Sequence, residues 1–223
     1  MEFDQREYDK KPASRGEIFA VYGMVLVFLL LMLLDILNNY EPRKLSALMF
    51  VVWWMPLVLL HEFGHALMAR MLGWRISRTV VGFGRVVHYG RLFNAPLELR
   101  MIPLEGFVQI APLTAAGARF KHALIYFAGP GIELLLFFII MLAMGTDNFF
   151  RIEDEYGRLM LQALAFAALA GAVINLIPMG VVTKDGNTPN DGMGIILSLF
   201  SKDEVYHKWV AEARQEQADQ REM

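Results

Sequence analysis

Apolar residues in this chain are gathered into long runs, with the charges lying between the runs instead of alternating with them. Residues 18–34 (IFAVYGMVLVFLLLMLL), 45–60 (LSALMFVVWWMPLVLL) and 159–183 carry no charge, and 123–146 carries one, Glu133. At 1.5 Å per residue, about 20 such residues cross a hydrocarbon core about 30 Å thick. The pattern predicts an all-α polytopic membrane protein of about four transmembrane helices, over about 17–37, 46–72, 122–145 and 158–179.

Between spans two and three the pattern changes. Residues 75–110 hold β-branched and aromatic side chains between glycines, without a 3.6-residue period. Turn signals at Gly82, Gly84, Gly90 and Asn94 to Pro96 predict two or three short strands, a small β-hairpin. Its apolar side chains need cover, so the hairpin is expected against the bilayer or the helix bundle and not as a free linker. After span four, residues 193–200 (MGIILSLF) form a run too short to span. In the charged tail beyond, Val205, Tyr206, Trp209, Val210 and Ala213 share one helical face, which lies on the membrane or packs on the core.

Composition narrows the function. A chain that is 56% hydrophobic with a mean hydropathy of +0.38 excludes a soluble enzyme or a nucleic-acid binder. Zero cysteines exclude a disulfide scaffold and a thiolate nucleophile, leaving nitrogen and oxygen ligands for any metal. Lysine plus arginine number four before span one, two in 38–45, seven in 73–121, two in 146–158 and five after 180. The positive-inside rule then puts both termini and the 73–121 segment in the cytoplasm. The first 16 residues read as a solvated tail, and span one as a retained helix and not a signal peptide.

The chemistry concentrates near the cytoplasmic end of span two, in His61-Glu62-Phe63-Gly64-His65. Histidines four apart share a helix face and can hold one zinc ion, with Glu62 beside the metal as a proton acceptor. Two satisfied core histidines are the bland alternative. Each unpaired charge in an apolar span costs roughly 2.5 kcal/mol or more, a penalty that a metal site explains directly. A third histidine in the metzincin position is absent, since Met68 and Met71 stand there, and Glu98 falls in the glycine-rich strand region. A remote carboxylate therefore remains the candidate for the third ligand. Asn175 and Gln162 are the strongly polar side chains deep in span four, where Asn175 alone would read as a helix-packing hydrogen bonder.

HEFGHALMARMLG resembles the signature of the site-2 protease family of intramembrane zinc metalloproteases. The resemblance continues through Val81-Gly82-Phe83-Gly84, Ile102 to Val108, Ala128-Gly129-Pro130, Asn175-Leu176-Ile177-Pro178 and Asp191-Gly192. It implies a three-helix core of spans two to four with an extra N-terminal span, and hydrolysis of a transmembrane peptide. It further implies one zinc ion per chain on His61, His65 and Asp191, with Glu62 as base and later acid. By the same resemblance Asn175 is a polar group near the scissile carbonyl, and Pro178 breaks span four to make space for the metal. Three features depart from the family: the loop MGVVTKDGNTPNDG is stretched and holds two Asp-Gly pairs, Glu105-Gly106 replaces a glycine pair, and Glu133 replaces an asparagine. Asp185 precedes a turn sequence, whereas Asp191 precedes an apolar stretch, so Asp191 is the expected ligand.

These readings divide the chain into a tail (1–16), an intramembrane metalloprotease domain (17–200, hairpin 75–110) and an amphipathic cytoplasmic tail (201–223), without a PDZ domain. They place it in a bacterial inner membrane, with a transmembrane protein or peptide substrate and the bilayer as partners and no nucleic acid. The rival readings are another membrane zinc endopeptidase and a catalytically silent homologue that binds membrane proteins. Glu133 is expected either as a neutral packed group or as one that tunes water entry or substrate fit. His88, His122 and His207 are expected at interfaces or in solvent, and Asp35 and Arg70 as span-end residues that snorkel.

Overall fold

The computed structural model describes residues 15–152, 154–183 and 186–222. Most of the tail 1–16 and all of Asp185 therefore lie outside the described residues. Helix α1 covers Arg15–Asn38 and a 3₁₀ turn, Pro42–Lys44, leads into α2, Leu45–Met71. Strands β1 (Trp74–Leu92) and β2 (Ala95–Pro112) follow, then α3 (Ala118–Met144), the single turn α4 (Thr146–Phe149) and α5 (Tyr156–Leu176). A second hairpin, β3 (Gly180–Thr183) and β4 (Gly186–Pro189), precedes α6 (Asp191–Phe200) and α7 (Asp203–Glu222).

Three helices are long and apolar enough to cross a membrane: Pro42–Met71 with its leading turn, α3 and α5. Among the described residues, α1 contributes the shorter apolar stretch Leu26–Asn38. The chain is a membrane protein. α2, α3 and α5 pack on one another through small residues, with Ala66, Ala165, Ala167, Ala168 and Ala172 fully buried. Lipid offers no hydrophobic drive between helices, so close approach of small side chains is what holds such a bundle. Gln162 is structural. Its amide donates to the carbonyls of Phe149 (2.6 Å) and Arg151 (2.9 Å) and ties the α4 turn to α5.

The hairpin differs from the short strands expected. β1 and β2 are 19 and 18 residues long, and they close on a two-residue loop, Phe93-Asn94, with φ of 50° and 68°. Two positive φ values are what a type I′ hairpin turn requires. Gly82 and Gly84, read from sequence as turns between strands, are bends within one strand, at φ 89° and 85°. A side chain at Gly82 would meet the Ile102 carbonyl at 2.7 Å. The bend folds the hairpin on itself, so Thr79, Val80 and Val81 pair with Val108, Phe107 and Gly106 and also with Leu97, Glu98 and Leu99. Glu98 is absorbed in this sheet, 2.8 Å from Arg100 and 3.8 Å from Arg78.

His122 corrects an expectation. It is not interfacial but 3% exposed, stacked on Trp74 and packed against Tyr126, Tyr206 and Trp209. Its Nδ1 lies 3.1 Å from the Tyr206 hydroxyl. Burial pushes the Tyr206 phenol up from its ordinary value, so it stays a neutral hydroxyl. This cluster docks the amphipathic face of α7 on the start of the hairpin, with Tyr206, Val210 and Ala213 buried. His88 and His207 are exposed as expected. Asp35 pairs with Lys44 at 2.9 Å, and Arg70 lies over the Phe93 ring.

Candidate metal centre

Residues 61 and 65 stand one turn apart on α2, which turns both imidazoles to the same side. Their Nε2 atoms are 3.0 Å apart. Asp191, the first residue of α6, closes the group: its Oδ2 is 2.9 Å from His61 Nε2 and its Oδ1 is 3.3 Å from His65 Nε2. One donor atom from each of the three residues lies within 4.8 Å of the others. The far nitrogens are engaged separately. His65 Nδ1 donates to the Ile125 carbonyl at 2.6 Å, which leaves Nε2 as the free donor of the neutral ring. His61 Nδ1 faces Glu133 Oε2 at 3.2 Å.

Asp191 reaches this position because the chain is turned twice. Pro178 cannot continue a helix and disfavours helical geometry at the residue before it, and α5 ends at Leu176. Asn190 then gathers the returning chain. Its side-chain oxygen accepts from Met179 N (2.9 Å) and Met193 N (3.1 Å), its amide donates to the Ile177 carbonyl (2.7 Å), and its backbone N–H donates to Met179 (3.1 Å). The stretched loop is thus a hairpin inserted between two points held together, and its length does not displace Asp191. Gly192 lets α6 press on the carbonyl of Leu176, and Gly194 faces the Tyr126 ring.

The surroundings fit a zinc ion. A tetrahedral zinc with bonds of 2.0 to 2.1 Å separates neighbouring donors by about 3.3 Å, close to the 2.9 to 3.3 Å found here. A Cβ at Gly129 of α3 would run into the Nε2 atoms of both His65 and His61, so the glycine keeps a cradle clear beside the donors. The carboxyl groups of Glu62, Glu133 and Asp191 converge there, and no lysine or arginine lines the cavity among the described residues. Such a cluster in an apolar interior calls for a cation. Glu62 is 4% exposed and its Oε2 has no hydrogen-bond partner among the described residues. A Cβ at Gly106 of β2 would sit 2.6 Å from Glu62 Cγ, so the hairpin is pressed directly against that side chain.

A cavity of about 320 Å³ adjoins the group and is lined by α2, α3, α5 and the Leu104–Ile110 stretch of β2. Asn175 lines it, with its amide donating to the Gly171 carbonyl at 3.1 Å. The glycines at 106, 129 and 171 were not assigned roles from sequence. Gly106 and Gly129 lie in stretches that carry the family resemblance and Gly171 does not, and neither kind of signal says what approaches a glycine.

Fold and site together define a membrane protein whose H-E-x-x-H histidines and Asp191 form a group that could hold a metal ion. The family profile of peptidase family M50 matches residues 49–157. The zinc metalloprotease Rip1 of Mycobacterium tuberculosis strain H37Rv is 32% identical over 109 residues, covering 41% of this chain and 27% of that protein. Rip1 of Mycolicibacterium smegmatis is 31% identical over 113 residues, covering 41% and 28%, and the zinc metalloprotease RasP of Geobacillus kaustophilus is 35% identical over 66 residues, covering 30% and 16%. The matches span between 15% and 39% of the curated relatives' own lengths. Over residues 49–157 the chain is similar to peptidase family M50, the family its sequence motifs resemble. Zinc is the metal named in these relatives and suits the His61, His65 and Asp191 group found here.

Proposed function

We propose that this chain is an intramembrane zinc metalloprotease that hydrolyses a peptide bond within or near a transmembrane segment of a membrane protein. The observation that carries the reading is the group of buried His61 and His65 with half-buried Asp191, set inside an apolar helix bundle beside Glu62 and an adjoining cavity. His61, His65 and Asp191 hold the ion, and α1 serves as a fourth span outside the three-helix core. The metalloprotease domain covers residues 17–200, both termini face the cytoplasm, and the membrane is a bacterial inner membrane.

Zinc bound at this site supplies Lewis-acid polarisation of a peptide carbonyl and acidifies water toward neutral pH. Glu62 takes the proton released as water attacks, holds it on its carboxylate, and delivers it to the departing amine. The Gly106 backbone against Glu62 limits that carboxylate to positions over the site. Asn175 lines the cavity where an amide can hold the scissile carbonyl. A peptide bond inside a helix is shielded by its own hydrogen bonds, so the substrate must unwind before attack. The Leu104–Ile110 stretch of β2 lines the cavity, and its pairing among the described residues is with β1 on one side. Its other side offers backbone groups to an extended substrate strand.

The test uses Glu62→Gln. The amide keeps the size of the side chain but cannot take the proton, so the variant should retain zinc, lose hydrolysis, and hold substrates that co-purify from native membranes. Native-rate hydrolysis by Glu62→Gln would exclude Glu62 as the base, and a wild-type chain that holds zinc but hydrolyses no membrane-protein substrate would exclude the protease reading. Loss of zinc in parallel with activity would make Glu62 a ligand and not the base.

A further inference from the structure

We propose that Glu133 is a positioning residue for His61: its carboxylate receives the Nδ1 hydrogen of that imidazole and fixes the ring with Nε2 turned to the metal. The inference rests on the zinc reading above and concerns a carboxylate to which that reading gives no part.

Glu133 stands in the middle of α3 and is 3% exposed. Its Oε2 lies 3.2 Å from His61 Nδ1. The two atoms are not aligned as a hydrogen bond, and neither has a partner of any other kind among the described residues. Two buried polar atoms that face each other and nothing else have one favourable arrangement, with Nδ1–H donating to the carboxylate. That arrangement puts the hydrogen on Nδ1 and the lone pair on Nε2. His65 is already held in this way, by the Ile125 carbonyl at 2.6 Å. The two imidazoles thus receive different supports, a backbone carbonyl for His65 and a side-chain carboxyl for His61.

The fold keeps room for this contact. A Cβ at Gly171 of α5 would lie 2.9 Å from Glu133 Oε1 and 3.2 Å from Oε2. Gly171 is buried, and α5 there approaches α3 closely enough that a methyl group would drive the carboxylate off its position. The pairing is therefore set by two helices, with α3 bringing the carboxylate and α5 leaving its space open.

The experiment measures zinc affinity of the full chain in detergent by competition with a chromogenic chelator, alongside thermal unfolding of the zinc-stripped protein. Glu133→Leu should weaken zinc binding by about ten- to a hundredfold, the usual effect of removing a partner of a ligating histidine. Glu133→Gln keeps an acceptor oxygen and should retain most of the affinity. Gly171→Ala should reproduce the loss, and the double variant Gly171→Ala with Glu133→Leu should be no weaker than Glu133→Leu alone, because both act through one contact. Unfolding of the zinc-stripped variants should match the wild type. Wild-type affinity in both Glu133→Leu and Gly171→Ala, with His61→Ala losing zinc, would overturn the role of Glu133 and leave the zinc reading standing. Wild-type zinc binding by His61→Ala would remove that reading as well.

Discussion

At the scale of single residues, the centre depends as much on absent side chains as on its donors. Gly129 carries no functional group, yet a Cβ there would occupy space beside His61 Nε2 and His65 Nε2. Gly129→Ala should therefore weaken zinc binding by at least about tenfold without removing a donor, comparable to loss of a supporting contact. Chelator competition on folded, helical protein would detect it, and unchanged affinity would mean that α3 can move away from the donors. The pairing of His61 with His65 was legible in the sequence, because two histidines four apart on an uncharged helix can only share one face. The glycine cradle was not, since which backbone approaches a side chain is decided by packing between elements. His122 was misread for the same reason. Its partners Trp74, Tyr206 and Trp209 come from distant parts of the chain, and nothing local marks a histidine at a helix start as the centre of an aromatic cluster.

At the scale of elements, apolar run length revealed α2, α3 and α5, since each needs an uncharged stretch to be stable in lipid. The hairpin was legible as β structure but not in its length. Glycines at positive φ serve equally as turns between strands and as bends within one, and only the pairing of Thr79 to Val81 on both sides separates the two. The stretched loop after Pro178 gives the sharpest test at this scale. Asn190 caps α6 and also binds the chain at Ile177 and Met179, so one side chain joins the end of α5 to the start of the helix that carries Asp191. Asn190→Ala should lower stability by about 1 to 2 kcal/mol through the lost cap. It should also weaken zinc binding, because Asp191 is the next residue. Shortening the β3–β4 hairpin while keeping Asn190 should leave zinc binding near normal. Thermal unfolding with zinc titration on the two variants measures both effects, and a shortened hairpin that loses zinc while Asn190→Ala keeps it would contradict the staple.

At the scale of the whole molecule, the match to the family covers residues 49–157, which hold His61, Glu62, His65 and Glu133 but neither Asn175 nor Asp191. Completion of the metal set is thus a matter of folding: α6 must return against α3 and α5 and set its first residue among the histidines. An anionic ligand partly neutralises the ion, so its removal should cost most of the bound metal. The most direct measurement is the zinc content of purified protein for the wild type, His61→Ala, His65→Ala, Asp191→Ala and Asp185→Ala. The account predicts about one zinc per chain in the wild type and in Asp185→Ala, and little or none in the other three, as expected when a structural donor of a zinc site is removed. Full zinc content in Asp191→Ala together with its loss in Asp185→Ala would contradict the account and move the third ligand into the loop between β3 and β4.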